Sequence, residues 1–172
     1  PNIIYGKDFF TEKFGTLNFK TNILHKNYET DRHLTFLNND LTWSPTETIT
    51  KKGFVNSLKG IIQNKNYQAK NATNYKDSGT VSELKSVLSY KTSLPLRKEG
   101  VNFFNIFSPN FMIRYAPGNM KNLNNDSVNL NYSNLYSINK TSEIEEGLNA
   151  ILGFDFKVNQ KNTNKEKLSI SM

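Results

Sequence analysis

The chain has 172 residues, a formal net charge of +7, 36% hydrophobic and 12% aromatic residues and no Cys. This is about one domain by length; the aromatics exclude a disordered chain, and without Cys there are no disulfides, thiolate metal sites or cysteine nucleophile. Nine Gly and five Pro exclude collagen and Pro-rich linkers, and no apolar run approaches the roughly 18 residues of a membrane-spanning helix.

In chain order, the period is two. Gly15 to Ile23 sets Leu17, Phe19, Thr21 and Ile23 against Thr16, Asn18, Lys20 and Asn22. His33 to Trp43 sets Leu37, Asn39, Leu41 and Trp43 against Asn38, Asp40 and Thr42. Gly53 to Tyr67 carries Phe54, Leu58 and Ile62 on its even face, blurred by Val55 and Ile61. Ser82 to Leu94 sets Leu84, Leu88, Tyr90 and Leu94 against Glu83, Lys85, Ser89 and Lys91. Phe111, Ile113 and Tyr115 alternate with Met112, Arg114 and Ala116, and Leu130, Tyr132, Tyr136 and Ile138 with Asn131, Ser133 and Ser137. The clearest alternation is Leu148, Ala150, Leu152, Phe154 and Phe156 against Asn149, Gly153, Asp155 and Lys157. Lys167 to Met172 alternates as well.

Period two over so many segments predicts half-buried antiparallel strands, about eight of them joined in sequence. Breakers separate them: Ser44-Pro45-Thr46, the polar stretch Gln68 to Gly79, a long connection from Pro95 to Pro109, Pro117-Gly118-Asn119 continuing to Asp126, Asn139 to Ser142, and Asn159 to Lys165. These residue types tolerate turn dihedrals or bond their own backbone. No helix is predicted, and no composition shift marks a domain boundary. The expected strands run to 9–15 residues against an ordinary strand of about 5–6, and about 9–11 suits a tilted membrane-crossing strand. An apolar row of Leu, Phe, Tyr and Ile suits lipid, and a polar row of Asn, Ser and Lys suits a wet lumen. A soluble β-sandwich also alternates, with shorter strands and a higher apolar share, and the pattern alone leaves both open.

Asn occurs 26 times and Lys 19 times against 3 Arg. The charge has two readings: an anionic partner such as nucleic acid, anionic lipid or lipopolysaccharide, or the residue supply of an AT-rich genome. Lysines scattered through turns favour the second. His25 and His33 flank one expected turn without metal-pair spacing. Glu143, Glu145 and Glu146 are expected to form a solvated acidic run beside Lys140, and no nucleotide or hydrolase motif is present. Lysines among alternating aromatics can build a single-strand nucleic-acid platform, but that spacing fits core or lipid-facing positions better. The chain opens on Pro1 without a basic segment and an apolar stretch, and it ends in an alternating run without a turn. The expectation from these ends is a piece of a longer chain.

From Leu94 to Lys157 the ordered motifs resemble a known family. They are Ser93-Leu94-Pro95-Leu96, then Phe107-Ser108-Pro109-Asn110-Phe111-Met112-Ile113-Arg114-Tyr115-Ala116-Pro117-Gly118-Asn119-Met120-Lys121-Asn122. Asn131-Tyr132-Ser133-Asn134-Leu135-Tyr136-Ser137-Ile138-Asn139, Glu145-Glu146-Gly147-Leu148 and Ile151-Leu152-Gly153-Phe154-Asp155-Phe156 follow. This resembles the central barrel segment of the LPS-assembly protein family, LptD, also called OstA or organic solvent tolerance protein. Gly15 to Trp43 resembles the preceding strands more loosely. Glu145-Glu146-Gly147 departs from the Glu-Gly-Gly of many relatives.

The resemblance implies an antiparallel up-and-down meander over residues 1–172, forming an open arc of a large outer-membrane β-barrel. The periplasmic jellyroll and gate strands would lie outside it. It implies a translocon of the Gram-negative outer membrane that inserts lipopolysaccharide into the outer leaflet, with no enzymatic step and no cofactor or metal. Its partners would be lipopolysaccharide, an LptE-like plug lipoprotein and, through parts absent from this chain, an LptA-like periplasmic bridge. Arg114, Asn149, Asp155 and Lys157 would face the lumen, and Leu148, Leu152, Phe154 and Phe156 would face lipid. The alternatives are the wall of a porin-like or receptor barrel, or a soluble basic β domain that binds nucleic acid.

Overall fold

The computed structural model describes residues 1–28, 32–71, 79–118, 132–139 and 144–172. Its strands are β1 (Asn2–Thr11), β2 (Gly15–Tyr28), β3 (Arg32–Ser44), β4 (Thr48–Ile49), β5 (Val55–Lys70), β6 (Gly79–Ser93), β7 (Leu96–Glu99), β8 (Phe103–Ala116), β9 (Gly147–Gln160) and β10 (Glu166–Ser171). One helical turn, α1, covers Tyr132–Leu135. Neighbours in the sheet follow chain order, β1-β2-β3-β5-β6-β8-β9-β10, with β4 on β5 and β7 on β8. The protein is an antiparallel β meander, as the alternation predicts.

Contacts divide the chain into two units. The first comprises residues 1–46 and 59–87. Here β1 returns into β2 through a tight turn in which Phe14 N–H donates to Thr11 Oγ1 at 3.1 Å. Gly15 follows with φ of 75°, a left-handed conformation that a Cβ opposes. An added Cβ there would also collide with the Pro45 backbone and the Ser44 carbonyl. The β2–β3 ladder runs unbroken from Thr16↔Ser44 to Tyr28↔Arg32, and β3–β5 from Trp43↔Gly60 to His33↔Lys70. A small buried cluster forms where Leu34 and Ala69 meet Phe36 and Tyr67.

The second unit comprises residues 47–58 and 88–172. It centres on β8, which pairs with β6 from Leu88↔Tyr115 to Ser93↔Asn110. On its other side it pairs with all of β9, from Phe103↔Gln160 to Ala116↔Gly147. β10 continues the ladder through a register irregularity between Glu166 and Leu168.

Two expectations are corrected, and one strand is added. Leu130 to Ile138 is not a strand: Leu130 and Asn131 lie outside the described residues, and Tyr132–Leu135 form a helical turn closed by Ser137 N–H donating to the Asn134 carbonyl at 3.0 Å. The span from Pro95 to Pro109 is not a connection, because β7 and the first half of β8 form a hairpin there, Leu96↔Phe107 to Glu99↔Phe104. The residues before Gly15 form a full strand, β1, which the alternation does not predict. The expected turns between 72 and 78 and from Asn119 to Asp126 lie outside the described residues.

Gly15→Ala is expected to destabilise the chain by more than about 1 kcal/mol, the cost of a Cβ in a left-handed, sterically closed position. Gly6→Ala should be close to neutral, since its Cβ meets only the Phe19 carbonyl at 3.8 Å. Urea midpoints of the two variants measure the contrast; equal midpoints would sink it.

Candidate functional site

In the second unit the registers collect like residues onto like faces. One face carries Leu88 and Tyr90 on β6 beside Tyr115 and Ile113 on β8. Next to these stand Leu148 and Ala150 on β9, followed along the strands by Phe111 against Leu152, Pro109 against Phe154 and Phe107 against Phe156. Ile170 extends the row onto β10. The opposite face carries Ser89, Lys91, Asn110, Met112, Arg114, Asn149, Asp155, Lys157 and Ser171. Successive side chains of a strand alternate faces, so an in-register pairing of alternating strands has this outcome and no other.

The burial of these faces is the reverse of a soluble sheet's. Leu152 is 79% exposed and Leu148 57%, and Phe107, Phe111, Ile113 and Tyr115 are exposed as well. Phe154 and Phe156 are half-buried, with the Phe154 ring 5.4 Å from that of Phe107. On the polar face Asn110, Met112 and Ala116 are buried and Arg114 is 0% exposed.

The groups that meet Arg114 come from residues 138, 139 and 145. Its guanidinium donates through Nε to the Ile138 carbonyl, and through Nη2 to Asn139 Oδ1 at 3.0 Å and to the Glu145 carbonyl at 2.5 Å. Nη1 is buried with no partner among the described residues. The Lys91 ammonium sits 4.8 Å from the Tyr136 ring centre, a cation–π contact. The Tyr136 hydroxyl packs where a Cβ on Gly153 would stand. Residues 134–139 and 144–146 thus form a strap across the polar face, and Arg114 is its anchor. Ile144 and Glu145, within the strap, are buried, which corrects the expected solvated acidic run. Glu146 packs against Gly118, and Glu143 lies outside the described residues.

The other polar-face residues tie strands together. Asp155 accepts from Asn110 Nδ2 and from Ser171 Oγ, both at 2.7 Å, joining β8, β9 and β10. Lys157 Nζ lies 3.2 Å from Glu166 Oε2. Asn149 stands directly across from Arg114. At the hairpin end Glu99 bridges Arg97 at 2.6 Å and Lys161 at 2.7 Å. Hydrogen bonds from Lys161, then from Arg97, hold the Glu99 carboxyl below its ordinary value.

The sequence placed Arg114, Asn149, Asp155 and Lys157 on one face and Leu148, Leu152, Phe154 and Phe156 on the other, and the registers do the same. It missed Asn110 and Ser171 as partners of Asp155, although both have the right parity. Among the described residues no group of three or more His, Asp or Glu is placed to hold a metal. No described helix is long and apolar enough to cross a membrane, which leaves crossing by strands open. Comparison with protein-family models and with curated proteins finds no match.

Two outcomes follow. Arg114→Met leaves the Ile138 and Glu145 carbonyls buried without a donor and is expected to cost about 2–4 kcal/mol, whereas Lys157→Met removes an exposed pair and should cost under about 1 kcal/mol. Denaturation midpoints in detergent micelles compare them, and equal losses would rule out the anchor. For Glu99 the folded carboxyl titrates below its unfolded value of 4.5, so its stabilisation is present above that pH and is lost as pH falls below it. The midpoint gap between the parent chain and Glu99→Gln should therefore be small but present at neutral pH and close in acid; a gap indifferent to pH would refute the pairing.

Proposed function

We propose that the chain is a stretch of the wall of an outer-membrane β-barrel, with its apolar face against lipid and its strapped polar face toward the lumen. The observation that carries this reading is the exposed apolar belt paired with a buried polar face. Phe107–Tyr115 on β8 opposes Leu148–Phe156 on β9, nine residues on each strand. At about 3.4 Å per residue and a tilt of about 40°, nine residues rise roughly 23 Å, close to the apolar band of about 25 Å in such barrels. Exposed apolar surface on this scale marks a membrane or protein interface.

The barrel we infer is the lipopolysaccharide translocon of the Gram-negative outer membrane, on the support of the ordered motifs from Leu94 to Lys157. In that role the chain makes and breaks no bond. Its lumen residues Arg114, Asn149, Asp155 and Lys157 line the side on which an LptE-like plug would sit. Its lipid residues Leu148, Leu152, Phe154 and Phe156 hold the wall in the bilayer. The LptA-like bridge would contact parts of the protein other than this wall.

Trp43, the one tryptophan, stands on the same face as Leu17 and Leu41, with its indole N–H donating to the Phe14 carbonyl at 2.9 Å. Lipids brominated on their acyl chains should quench its fluorescence once the chain is folded into vesicles. Emission unchanged by brominated lipid would sink the wall reading. Leu152→Arg should weaken bilayer folding by about 2–4 kcal/mol, the cost of a cation at mid-membrane, and Asn149→Arg by much less; equal small effects would contradict the faces assigned. A photo-crosslinker at Asn149 in the intact outer-membrane protein should capture lipopolysaccharide if the barrel is that translocon, and capture of none would point to a porin-like or receptor barrel.

A further inference from the structure

The first unit differs from the second in one respect that its registers make plain. At the Trp43 end, one face carries Leu17, Phe19, Leu41, Trp43 and Ile62, while the other carries Asn18, Lys20, Asp40, Thr42 and Gln63, with Ile61 as its one apolar member among these rows. At the opposite end the assignment is inverted. The first face now carries His25, Thr35 and Gln68, and the second carries Leu24, Phe36, Tyr67, Leu34 and Ala69. No bulge intervenes in either ladder, so the strands continue straight while their apolar side changes.

The change occurs at a definite place. Thr21, Asn39 and Asn64 stand side by side on β2, β3 and β5. Thr21 Oγ donates to Asn39 Oδ1 at 2.7 Å, Asn39 Nδ2 to Asn64 Oδ1 at 3.4 Å, and Asn66 Nδ2 to Asn64 Oδ1 at 2.5 Å. Immediately beyond this ladder come two apolar doublets set across from one another, Ile23-Leu24 and Leu37-Phe36. A doublet is what a period-two pattern needs in order to shift its apolar set to the other face without a bulge.

Resting on the wall reading above, we propose that this ladder is the border of the hydrocarbon contact on the first unit. The surface that meets bilayer acyl chains is Leu17, Phe19, Leu41, Trp43 and Ile62. Beyond the ladder, β2, β3 and β5 leave the bilayer and stand in water. The physical reason is the cost of amides in hydrocarbon, several kcal/mol each when unpaired: a row of them belongs where the solvent changes, each satisfied by the next. Past that row and the exposed Ile3, Ile23 and Leu37 next to it, water wets both sides of the strands, so the former lipid face becomes polar and the opposite face can bury its own aromatics. The Phe36 and Tyr67 rings, 6.0 Å apart over buried Leu34 and Ala69, are that second core. Ile23 and Leu37 lie one row past the border, at headgroup depth. Lys7, in the Phe19 row on β1, lays its ammonium 4.9 Å from the Phe9 ring, as a cation does when it reaches along apolar surface toward water.

The chain has no Cys, so single thiols report cleanly. Leu41→Cys and Ile62→Cys lie on the hydrocarbon side, and Thr35→Cys and Gln68→Cys lie on the same face beyond the ladder. Each full chain is folded into phosphatidylcholine bicelles, both faces of which are open to water, and treated with a charged maleimide, with the urea-unfolded chain as full-labelling reference. The expected result is loss of labelling at Leu41→Cys and Ile62→Cys and retained labelling at Thr35→Cys and Gln68→Cys. Loss at all four overturns the border while leaving the wall reading intact. Retention at all four, or the reverse pattern, overturns both.

Discussion

Everything in this protein depends on ladder register. Each long strand alternates apolar and polar side chains, and a sheet of such strands is two-faced only if every pairing keeps the two sets in phase. A slip of one residue in any ladder would send an apolar row into a polar one. The phase holds from β6 through β8 and β9 to β10: Tyr115 lies between Leu88 and Leu148, and Phe156 between Phe107 and Ile170. Asp155 reinforces it by bonding to both neighbouring strands from the polar side. Cross-strand aromatic and aliphatic pairs do so from the other side, each worth a few tenths to about 1 kcal/mol.

With the phase fixed, the question is which face is packed, and the answer is the polar one. A buried arginine is costly unless its donors are met. Arg114 offsets most of that cost through Nε and Nη2, which meet two backbone carbonyls and an amide oxygen from residues 138, 139 and 145, while Nη1 stays buried without a partner among the described residues. Gly153 contributes by leaving room for Tyr136. A soluble sheet of this composition would have closed its Leu, Phe and Tyr row against a second layer; here the layer lies over Ser, Asn and Arg instead. An apolar row left uncovered in this way calls for a nonaqueous neighbour, and the lipid contact proposed above would supply one.

Much of this was legible in the sequence, for a physical reason. Period two is a one-dimensional signal, so most of β2, β3, β5, β6 and β9 could be read without knowing their neighbours, and on β9 the face of each residue as well. β1 was missed because Gly6, Lys7 and Asp8 interrupt its alternation, and its pairing with β2 supplies what its own pattern lacks. β8 was cut short at Pro109, since a proline inside a run argues against a central strand. In an antiparallel ladder a residue's N and O point to the same neighbour, and on that side of Pro109 lies the β6–β7 corner, where Leu94 N–H donates to the Pro109 carbonyl at 3.1 Å. The proline stands where the ladder is already turning. Tyr132, Tyr136 and Ile138 alternate by accident of composition within a segment whose conformation the sheet does not set. The anchor itself was half legible: the parity of Arg114 set it on the face opposite Ile113 and Tyr115, but two of its partners are carbonyls, and carbonyls carry no residue identity for a sequence to show.

The polarity inversion in the first unit illustrates the same limit from the other side. Ile23-Leu24 and Phe36-Leu37 read, one strand at a time, as lapses in alternation of the kind Val55 and Ile61 also make. Only the ladder shows that the two doublets face each other and that the row beside them is Thr21, Asn39 and Asn64. An isolated lapse places one apolar side chain on the wrong face. Two lapses in register shift the apolar set of neighbouring strands to the other face together, so their meaning is collective. A continuous strand can then serve two solvents in turn: it needs no break in its backbone, only a coordinated change in which side is apolar, made where the amides of neighbouring strands can satisfy one another.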